Sequence, residues 1–247
     1  MDLGLAGRTA LITGASAGIG AAVAESLAAE GVHLHLAARG KERLDEVAAR
    51  LTAAYSVIVA THPVDLRDGA ELQRLADSAT PDILVNNAGD IPAGTLESID
   101  EATWRRAWDL KVFGYIDLTR SVYAGMKDRG RGVIINIIGS AGERPKAGYI
   151  AGGSGNAALM AFTRALGGQS WRDGIRVLGI NPGPVATERF TTLLETNEDF
   201  RTLAADFPFA RPAHPSEIAD AATFLASDRS AYTTGTILTI DGGITAS

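Results

Sequence analysis

Short apolar runs alternate with helix-like segments along the whole chain of 247 residues. The first apolar run, RTALIT (8–13), ends at a glycine, which is typical of a strand buried in a parallel sheet. The next segment, GIGAAVAESLAAEG (18–31), has a helical pattern and closes on Gly31. Without linkers or repeats, this alternation predicts one α/β domain over 1–247, with a mostly parallel, doubly wound seven-stranded sheet. The predicted strands are 8–13, 32–39, 56–65, 81–89, 132–138, 175–183 and 235–243, and the predicted helices are 18–31, 41–54, 69–79, 101–128, 157–170 and 215–228.

Composition excludes several classes of partner and site. Hydrophobic residues make up 46% of the chain and the net charge is -6, without a basic stripe, so nucleic acid and anionic membranes are poor partners. The chain has no cysteine, and its four histidines show no metal-ligand spacing, so we expect no disulfide and no metal site. Because no apolar segment approaches 18 residues, we expect a cytoplasmic protein.

A glycine-rich turn, TGASAGIG (13–20), lies between the first predicted strand and the first predicted helix. Glycines let the backbone approach a pyrophosphate closely, and the following helix N-terminus favours negative charge. The spacing is Gly14-x3-Gly18-x-Gly20, and many loops use glycine only for a positive φ. The position directly after the first strand nevertheless indicates a dinucleotide site.

Four further segments follow in order: VDL (64–66), NNAG (86–89), NPGPVAT (181–187) and TGTILTIDGG (234–243). Together with the glycine-rich turn, they resemble the short-chain dehydrogenase/reductase family over nearly the whole chain. The resemblance implies a Rossmann-type domain in which Asp65 meets the adenine ring. It also implies that 181–187 holds the nicotinamide carboxamide and opens into a substrate lid around 186–212. The cofactor-binding residues implied in this way are Gly14, Ser16, Ala17, Gly18, Ile19, Gly20, Arg39, Asp65, Leu66, Asn87, Ala88, Gly89, Pro182, Gly183, Val185 and Thr187.

Arg39, at the end of the second predicted strand, bears on which dinucleotide binds. An acidic residue there would hydrogen-bond the 2′-hydroxyl of NAD, whereas a basic one suits the 2′-phosphate of NADP. No acidic residue occurs from Val32 to Arg39, and Lys41 adds positive charge nearby. NADP(H) is therefore favoured over NAD(H), although a solvated arginine at a strand end would look the same in sequence.

The resemblance fails at the catalytic positions. The family uses a tyrosine as acid or base, a lysine beside it, a serine that steadies the substrate oxygen and an asparagine on the preceding helix. Counted without gaps from INII (135–138) and NPG (181–183), the tyrosine place is Gly152 and the lysine place is Asn156. The serine place is Gly139 and the asparagine place is Lys111.

Lysine and asparagine have thus exchanged places, which suggests a relocated catalytic site. Lys111 would supply the ammonium, Tyr149 the phenol from one helical turn before Gly152, and Ser140 the hydroxyl. The same residues also admit a structural interpretation, in which Tyr149 packs under the lid, Lys111 is solvated or at an interface, and Ser140 is a turn residue. Glu143, on the same rim, is a further candidate base.

Three glycines, Gly152, Gly153 and Gly155, would each cost about 1 kcal/mol within a helix, so they indicate close backbone approach or a local departure from the helix rather than a preserved catalytic helix. The lid segment 186–212 is expected to be irregular. Its phenylalanines, which suggest a partly apolar substrate, are Phe190, Phe200, Phe207 and Phe209.

The leading interpretation is an NADP(H)-dependent oxidoreductase acting on a small carbonyl or alcohol. The alternative from another class is a non-catalytic dinucleotide-binding sensor or partner subunit, and a third is a lyase or isomerase that keeps the cofactor as a structural or recycled group. The resemblance also implies a homo-oligomer, tetramer or dimer, that uses helices 101–128 and 157–170. Trp104 and Trp108 suit either such an interface or the core.

Overall fold

Seven parallel strands form one sheet in the described part of this computed structural model, which comprises residues 1–196 and 207–246. Their order, β3-β2-β1-β4-β5-β6-β7, reverses direction at β1, and helices cover both faces, so the predicted doubly wound fold is confirmed. The strands are β1 (Thr9–Thr13), β2 (His33–Ala38), β3 (Val59–Pro63), β4 (Ile83–Asn86), β5 (Gly132–Ile137), β6 (Ile175–Pro182) and β7 (Ile237–Ile240). The helices are α1 (Gly18–Ala29), α2 (Lys41–Ala54), α3 (Gly69–Ala79), α4 (Glu101–Trp108), α5 (Gly114–Asp128), α6 (Ile150–Ser170), α7 (Glu188–Thr196) and α8 (Pro215–Ala226).

Small side chains bring α1 close to α8 on one face of the sheet. Ala24 and Ala28 of α1, and Ala219 and Ala222 of α8, are all buried in the same core cluster. On the other face α3 packs on α5 over a second apolar cluster. The central strands are buried on both faces, which explains why they read as continuous apolar runs in the sequence.

The predicted helix 101–128 is interrupted in the structure. Asp100 caps α4 by accepting a hydrogen bond from the Thr103 amide at 2.7 Å, and a π-helical turn, Asp109–Phe113, then joins α4 to α5. Single π turns inside α-helices occur frequently at functional sites. Lys111 lies in the middle of this turn.

The glycines near the start of α6 lie within a regular helix. This helix begins at Ile150, seven residues before the predicted start, so the expected departure from helical structure is wrong. The expected close approach is present: a Cβ on Gly155 would lie 3.1 Å from Val112 Cγ2, and one on Gly153 would lie 3.2 Å from the carbonyl oxygen of Ala141. Packing at this distance offsets the low helix propensity of glycine.

The segment 186–212, expected to be irregular, contains α7 and a 3₁₀ turn, Pro208–Ala210, so that expectation is wrong for these parts. Thr187 Oγ1 accepts a hydrogen bond from the Phe190 amide at 3.3 Å, which caps the start of α7. The rings of Phe190 and Phe207 lie 5.9 Å apart, and both are buried. Helix α7 therefore packs against Phe207. Phe200 lies outside the described residues.

Candidate active site

The predicted cofactor residues all lie at one edge of the sheet. Pro182 ends β6, and the other residues follow β1, β2, β3, β4 or β6. Parallel strands present their carboxyl ends at the same edge of the sheet. The order of the strands reverses between β1 and β4, where open α/β sheets form their binding crevice.

Thr13, the last residue of β1, fixes the two loops that border this crevice. Its hydroxyl accepts hydrogen bonds from the amides of Asn87 at 2.9 Å and Ala88 at 3.1 Å. The Asn87 side chain returns a bond to the Thr13 carbonyl at 2.9 Å. Thr13 is the first residue of the glycine-rich turn, and its role was not predicted from the sequence.

The glycine-rich turn is shaped for close approach. Gly14 and Gly18 have φ values of +65° and +56°, and a Cβ on Gly20 would stand 2.3 Å from the carbonyl oxygen of Gly14. Helix α1 then begins with extended Ala17, without a side-chain cap and without an acidic residue in its first turn. Its first amides and the positive end of its dipole are therefore available to a phosphate.

Thr187 brings the 181–187 segment to this turn. Its Cγ2 atom would lie 3.1 Å from a Cβ on Gly18. The predicted residues after β1 and after β6 are therefore in contact across the crevice.

Arg39 is exposed at the end of β2, and no hydrogen bond or ion pair joins it to another residue in the described ranges. Hydrogen bonds from the Arg67 guanidinium lower the pKa of Asp65 to about 2, and the charge of Arg39 adds a smaller effect in the same direction. The Nε of Arg67 donates to Asp65 Oδ1 at 2.9 Å. Two guanidinium groups thus stand near the carboxyl ends of β2 and β3.

Lys111 is half-buried and crosses the NNAG segment. A Cβ on Gly89 would lie 2.9 Å from Cδ of Lys111, so the side chain runs directly over that glycine. Its Nζ donates a hydrogen bond to the carbonyl oxygen of Ile138 at 2.5 Å. The ammonium therefore lies at the end of β5, beside the crevice.

Asn156 projects from α6 towards Gly139, the residue after Ile138. Its Nδ2 would lie 2.7 Å from a Cβ on Gly139, whose φ of +133° is itself restricted to glycine. The side chain is 2% exposed, and its Oδ1 is enclosed without a hydrogen-bond partner among the described residues. Lys111 and Asn156 therefore face the adjacent residues Ile138 and Gly139, a contact that the sequence analysis missed.

Tyr149 stands at the start of α6, and its ring folds back over the helix. A Cβ on Gly152 would lie 2.0 Å from Cζ of Tyr149. The backbone on either side is held by Gly94, whose amide donates to the Gly148 carbonyl at 2.7 Å and whose carbonyl accepts from the Ile150 amide at 3.4 Å.

A second phenol near the end of β5 belongs to Tyr115. It donates a hydrogen bond to the Ile137 carbonyl at 2.9 Å and is 1% exposed. Burial raises the pKa of Tyr115 well above its ordinary value. Tyr115 is therefore unsuited to proton transfer, which leaves Tyr149 as the better placed phenol.

Ser140 is buried in a 3₁₀ turn, Ser140–Gly142, directly after Gly139. Glu143 follows it and accepts hydrogen bonds from Thr239 at 2.5 Å and from Asn181 at 2.7 Å. These bonds, that of Thr239 first, hold the pKa of Glu143 below its ordinary value. Glu143 is thus a weak base, and it ties this loop to β6 and β7.

A cavity of about 660 Å³ lies between Glu143 and the 207–211 segment. Its wall combines apolar and charged groups, including Phe207, Phe209, Ile244, Arg211 and Asp241. Pro184, from the predicted cofactor segment, also lines it.

The sequence predicts neither a metal site nor a membrane-spanning segment. Within 1–196 and 207–246, no three His, Asp or Glu side chains are placed to hold a metal ion. No helix in those ranges has the length and apolar character needed to cross a membrane. The two tryptophans pack within the chain: Trp108 donates to the Ala151 carbonyl at 3.0 Å, and its ring lies 6.2 Å from that of Trp104.

Comparison with known proteins gives matches over almost the full length. A family model described as enoyl-(acyl carrier protein) reductase matches residues 14–245. Galactitol 2-dehydrogenase (L-tagatose-forming) of Cereibacter sphaeroides is 36% identical over an aligned length of 247 positions, which covers 98% of this chain and 96% of that protein. A 2,3-dihydro-2,3-dihydroxybenzoate dehydrogenase of Bacillus subtilis (strain 168) is 32% identical, over 98% of this chain and 97% of its own.

Solved structures agree with these matches. L-sorbose reductase from Gluconobacter frateurii, complexed with NADPH and L-sorbose, has a TM-score of 0.93 and 34% identity, and 100% of both chains are covered. A 7α-hydroxysteroid dehydrogenase, complexed with NADH and 7-oxo glycochenodeoxycholic acid, has a TM-score of 0.92 and 32% identity, over 98% of this chain and 96% of its own.

Proposed function

This chain belongs to the short-chain dehydrogenase/reductase family, and we propose that it catalyses the NADP(H)-dependent interconversion of a small carbonyl and alcohol at a relocated site. One observation carries the proposal. Each of three polar side chains lies over a glycine: Tyr149 over Gly152 in α6, Asn156 over Gly139 after β5, and Lys111 over Gly89 after β4. The chemistry-bearing side chains have changed position, while phenol, ammonium and carboxamide are all retained.

The crevice fits a nicotinamide dinucleotide. The glycine-rich turn leaves a cradle that a Cβ would fill, and the start of α1 offers unpaired amides to the pyrophosphate. Arg39, exposed and without an ion pair among the described residues, suits the 2′-phosphate of NADP. One similar structure holds NADPH and another NADH, and Lys41 is ion-paired with Asp45. The preference for NADP therefore rests on Arg39 and on the absence of an acidic residue from Val32 to Arg39.

The bound cofactor would supply or accept the hydride. In the reducing direction, the phenol of Tyr149 donates its proton to the carbonyl oxygen, and in the oxidising direction the phenolate takes the proton of the alcohol. The ammonium of Lys111 would stabilise the phenolate by attraction between opposite charges. Ser140, the serine predicted from sequence, follows Gly139 on the same loop.

The cavity that Glu143 and Pro184 line suits a small, partly apolar molecule that carries hydroxyl groups, although the side chains of Tyr149, Lys111, Ser140 and Asn156 do not line it. Its phenylalanine and isoleucine side chains suit a carbon skeleton, and its carboxylates and Arg211 suit hydroxyls. Similar proteins are named for galactitol and L-sorbose, which are polyhydroxylated. Sugar alcohols and their ketoses are therefore the first compounds to test.

The test is a screen of ketoses with NADPH and NADH, followed by Tyr149→Phe. We expect turnover with NADPH and a loss of at least a hundredfold in kcat for the variant, the scale of a missing general acid (about 10²–10⁴). The matched control is Tyr232→Phe, because Tyr232 is fully exposed, and its kcat should stay within twofold of the parent. Equal activity of parent and Tyr149→Phe would exclude Tyr149 as the acid.

A non-catalytic dinucleotide-binding protein is the second candidate. The replacement of the family tyrosine, lysine and serine by Gly152, Asn156 and Gly139 favours it. It predicts that NADPH binds, as measured by fluorescence titration, while no carbonyl or alcohol is turned over. We further propose a homo-oligomer in the cytoplasm, and light scattering of the purified chain would test the oligomer.

A further inference from the structure

We propose that Asn156 is a catalytic residue, whose amide group donates a hydrogen bond to the substrate oxygen that receives the proton from Tyr149. This inference rests on the proposed function, and it adds a third catalytic group to the Tyr149 phenol and the Lys111 ammonium. Asn156 thereby takes the task that the sequence analysis gave to Ser140.

The carboxamide of Asn156 is buried without a hydrogen-bond partner among the described residues. Asn156 is 2% exposed, yet no hydrogen bond joins it to any described residue, and its Oδ1 is fully enclosed. A buried amide left unpaired costs about 1–3 kcal/mol. Leu159 and Met160 of the same helix lie in an apolar cluster, and a leucine at 156 would leave no polar group unpaired. A polar group kept at such a cost indicates a role other than stability.

The side chain of Asn156 points towards Gly139. Nδ2 occupies the space that a side chain on Gly139 would enter, because a Cβ there would be 2.7 Å away. Gly139 follows Ile138, whose carbonyl binds the ammonium of Lys111. The carboxamide and the ammonium therefore reach two adjacent residues, Gly139 and Ile138, from different helical segments, α6 and the π turn before α5.

When hydride adds to the carbonyl carbon, the π electron pair of the C=O bond moves to oxygen, which then takes the proton of Tyr149. A donor aimed at this oxygen stabilises the charge that develops on it. The amide N–H of Asn156 donates without transferring its proton, so the balance of the reaction is unchanged.

The experiment compares the parent with Asn156→Leu and Asn156→Asp in ketose reduction. We expect both variants to lose about a hundredfold in kcat, the scale of one oxyanion-stabilising donor. The Kd for NADPH, from fluorescence titration, should change less than threefold. The Tm of the leucine variant should equal or exceed that of the parent, because an unpaired buried amide has been removed. A purely structural asparagine predicts a lower Tm instead.

Three results would overturn the inference: a loss of less than tenfold in kcat, a loss accompanied by NADPH binding more than tenfold weaker, or a Tm lowered in a folded Asn156→Leu protein. If the leucine variant does not fold, the kcat and Kd of Asn156→Asp decide the question. The aspartate side chain keeps the shape of the asparagine, and an ionised carboxylate cannot donate a hydrogen bond. Failure of the proposed function looks different, because the parent itself would then reduce no ketose.

Discussion

The ring of Tyr149 lies on Gly152, so closely that a Cβ at position 152 would stand 2.0 Å from Cζ of the phenol. A side chain at 152 and the present position of Tyr149 therefore exclude each other. Position 152 is the place of the family tyrosine. The ring of Tyr149 can occupy its present position only because residue 152 has no side chain.

Gly152→Ala should displace the phenol, because even a methyl group overlaps the ring. We expect kcat to fall at least tenfold and the free energy of unfolding to fall by about 1–3 kcal/mol, as in other overpacked sites. The matched control on the same helix is Gly168→Ala, since a Cβ there meets nothing within 4 Å. The control should keep its activity and gain about 0.5–1 kcal/mol of stability. Unchanged activity in Gly152→Ala would show that the position of Tyr149 does not matter for catalysis.

The double reversal Gly152→Tyr with Asn156→Lys should not restore a more active family site. The new tyrosine would collide with Tyr149, and the new lysine would enter the space beside Gly139. We expect ketose reduction below that of the parent. Reductase activity that is absent from the parent and appears in the double variant would contradict the relocated site.

Arg39→Ala should weaken NADPH binding by about tenfold to a hundredfold, the equivalent of one charge-assisted hydrogen bond of about 1.5–3 kcal/mol. Binding of NADH should change less than threefold. The control is Arg50→Ala on α2, whose guanidinium is paired with Glu25 at 2.8 Å. Fluorescence titration with both dinucleotides measures the effect, and an equal change for NADPH and NADH would rule out Arg39 as the phosphate reader.

The Asp65–Arg67 pair should stabilise the fold fully only at pH values above the ordinary pKa of an aspartate carboxyl group. The pKa of Asp65 is lowered to about 2, so its contribution is complete above its ordinary pKa of 3.8 and is lost as the pH falls towards 2. Both side chains are about a third exposed, and solvent screening keeps the effect small. In urea unfolding, the stability difference between the parent and Arg67→Met should shrink from pH 6 to pH 3.5. A difference that is constant or grows over this range would show that the pair does not lower the pKa of Asp65.

The meeting of the loops after β1, β4 and β6 could be predicted from sequence because its signals are local. Gly14, Gly18 and Gly20 follow a strand at a fixed spacing, and the sheet order then brings Asn87 and Thr187 to them. The catalytic side depends on contacts between distant segments. Asn156 over Gly139 and Lys111 over Gly89 join residues on different elements, which no single segment reveals. The start of α6 was missed for the same reason, since packing against Val112 and Ala141 sustains a glycine-rich helix.

The central claim, that Tyr149 and Lys111 act together as phenol and ammonium, is tested most directly by a double-mutant cycle. The cycle measures kcat/KM for ketose reduction in the parent, Tyr149→Phe, Lys111→Met and the double variant, with Lys127→Met, an ion-paired lysine at the end of α5, as the control. Because the ammonium acts through the phenol, the double variant should be no worse than Tyr149→Phe alone, with a coupling of about 1–3 kcal/mol. Losses that simply add, or a Lys111→Met enzyme as active as the control, would contradict the account.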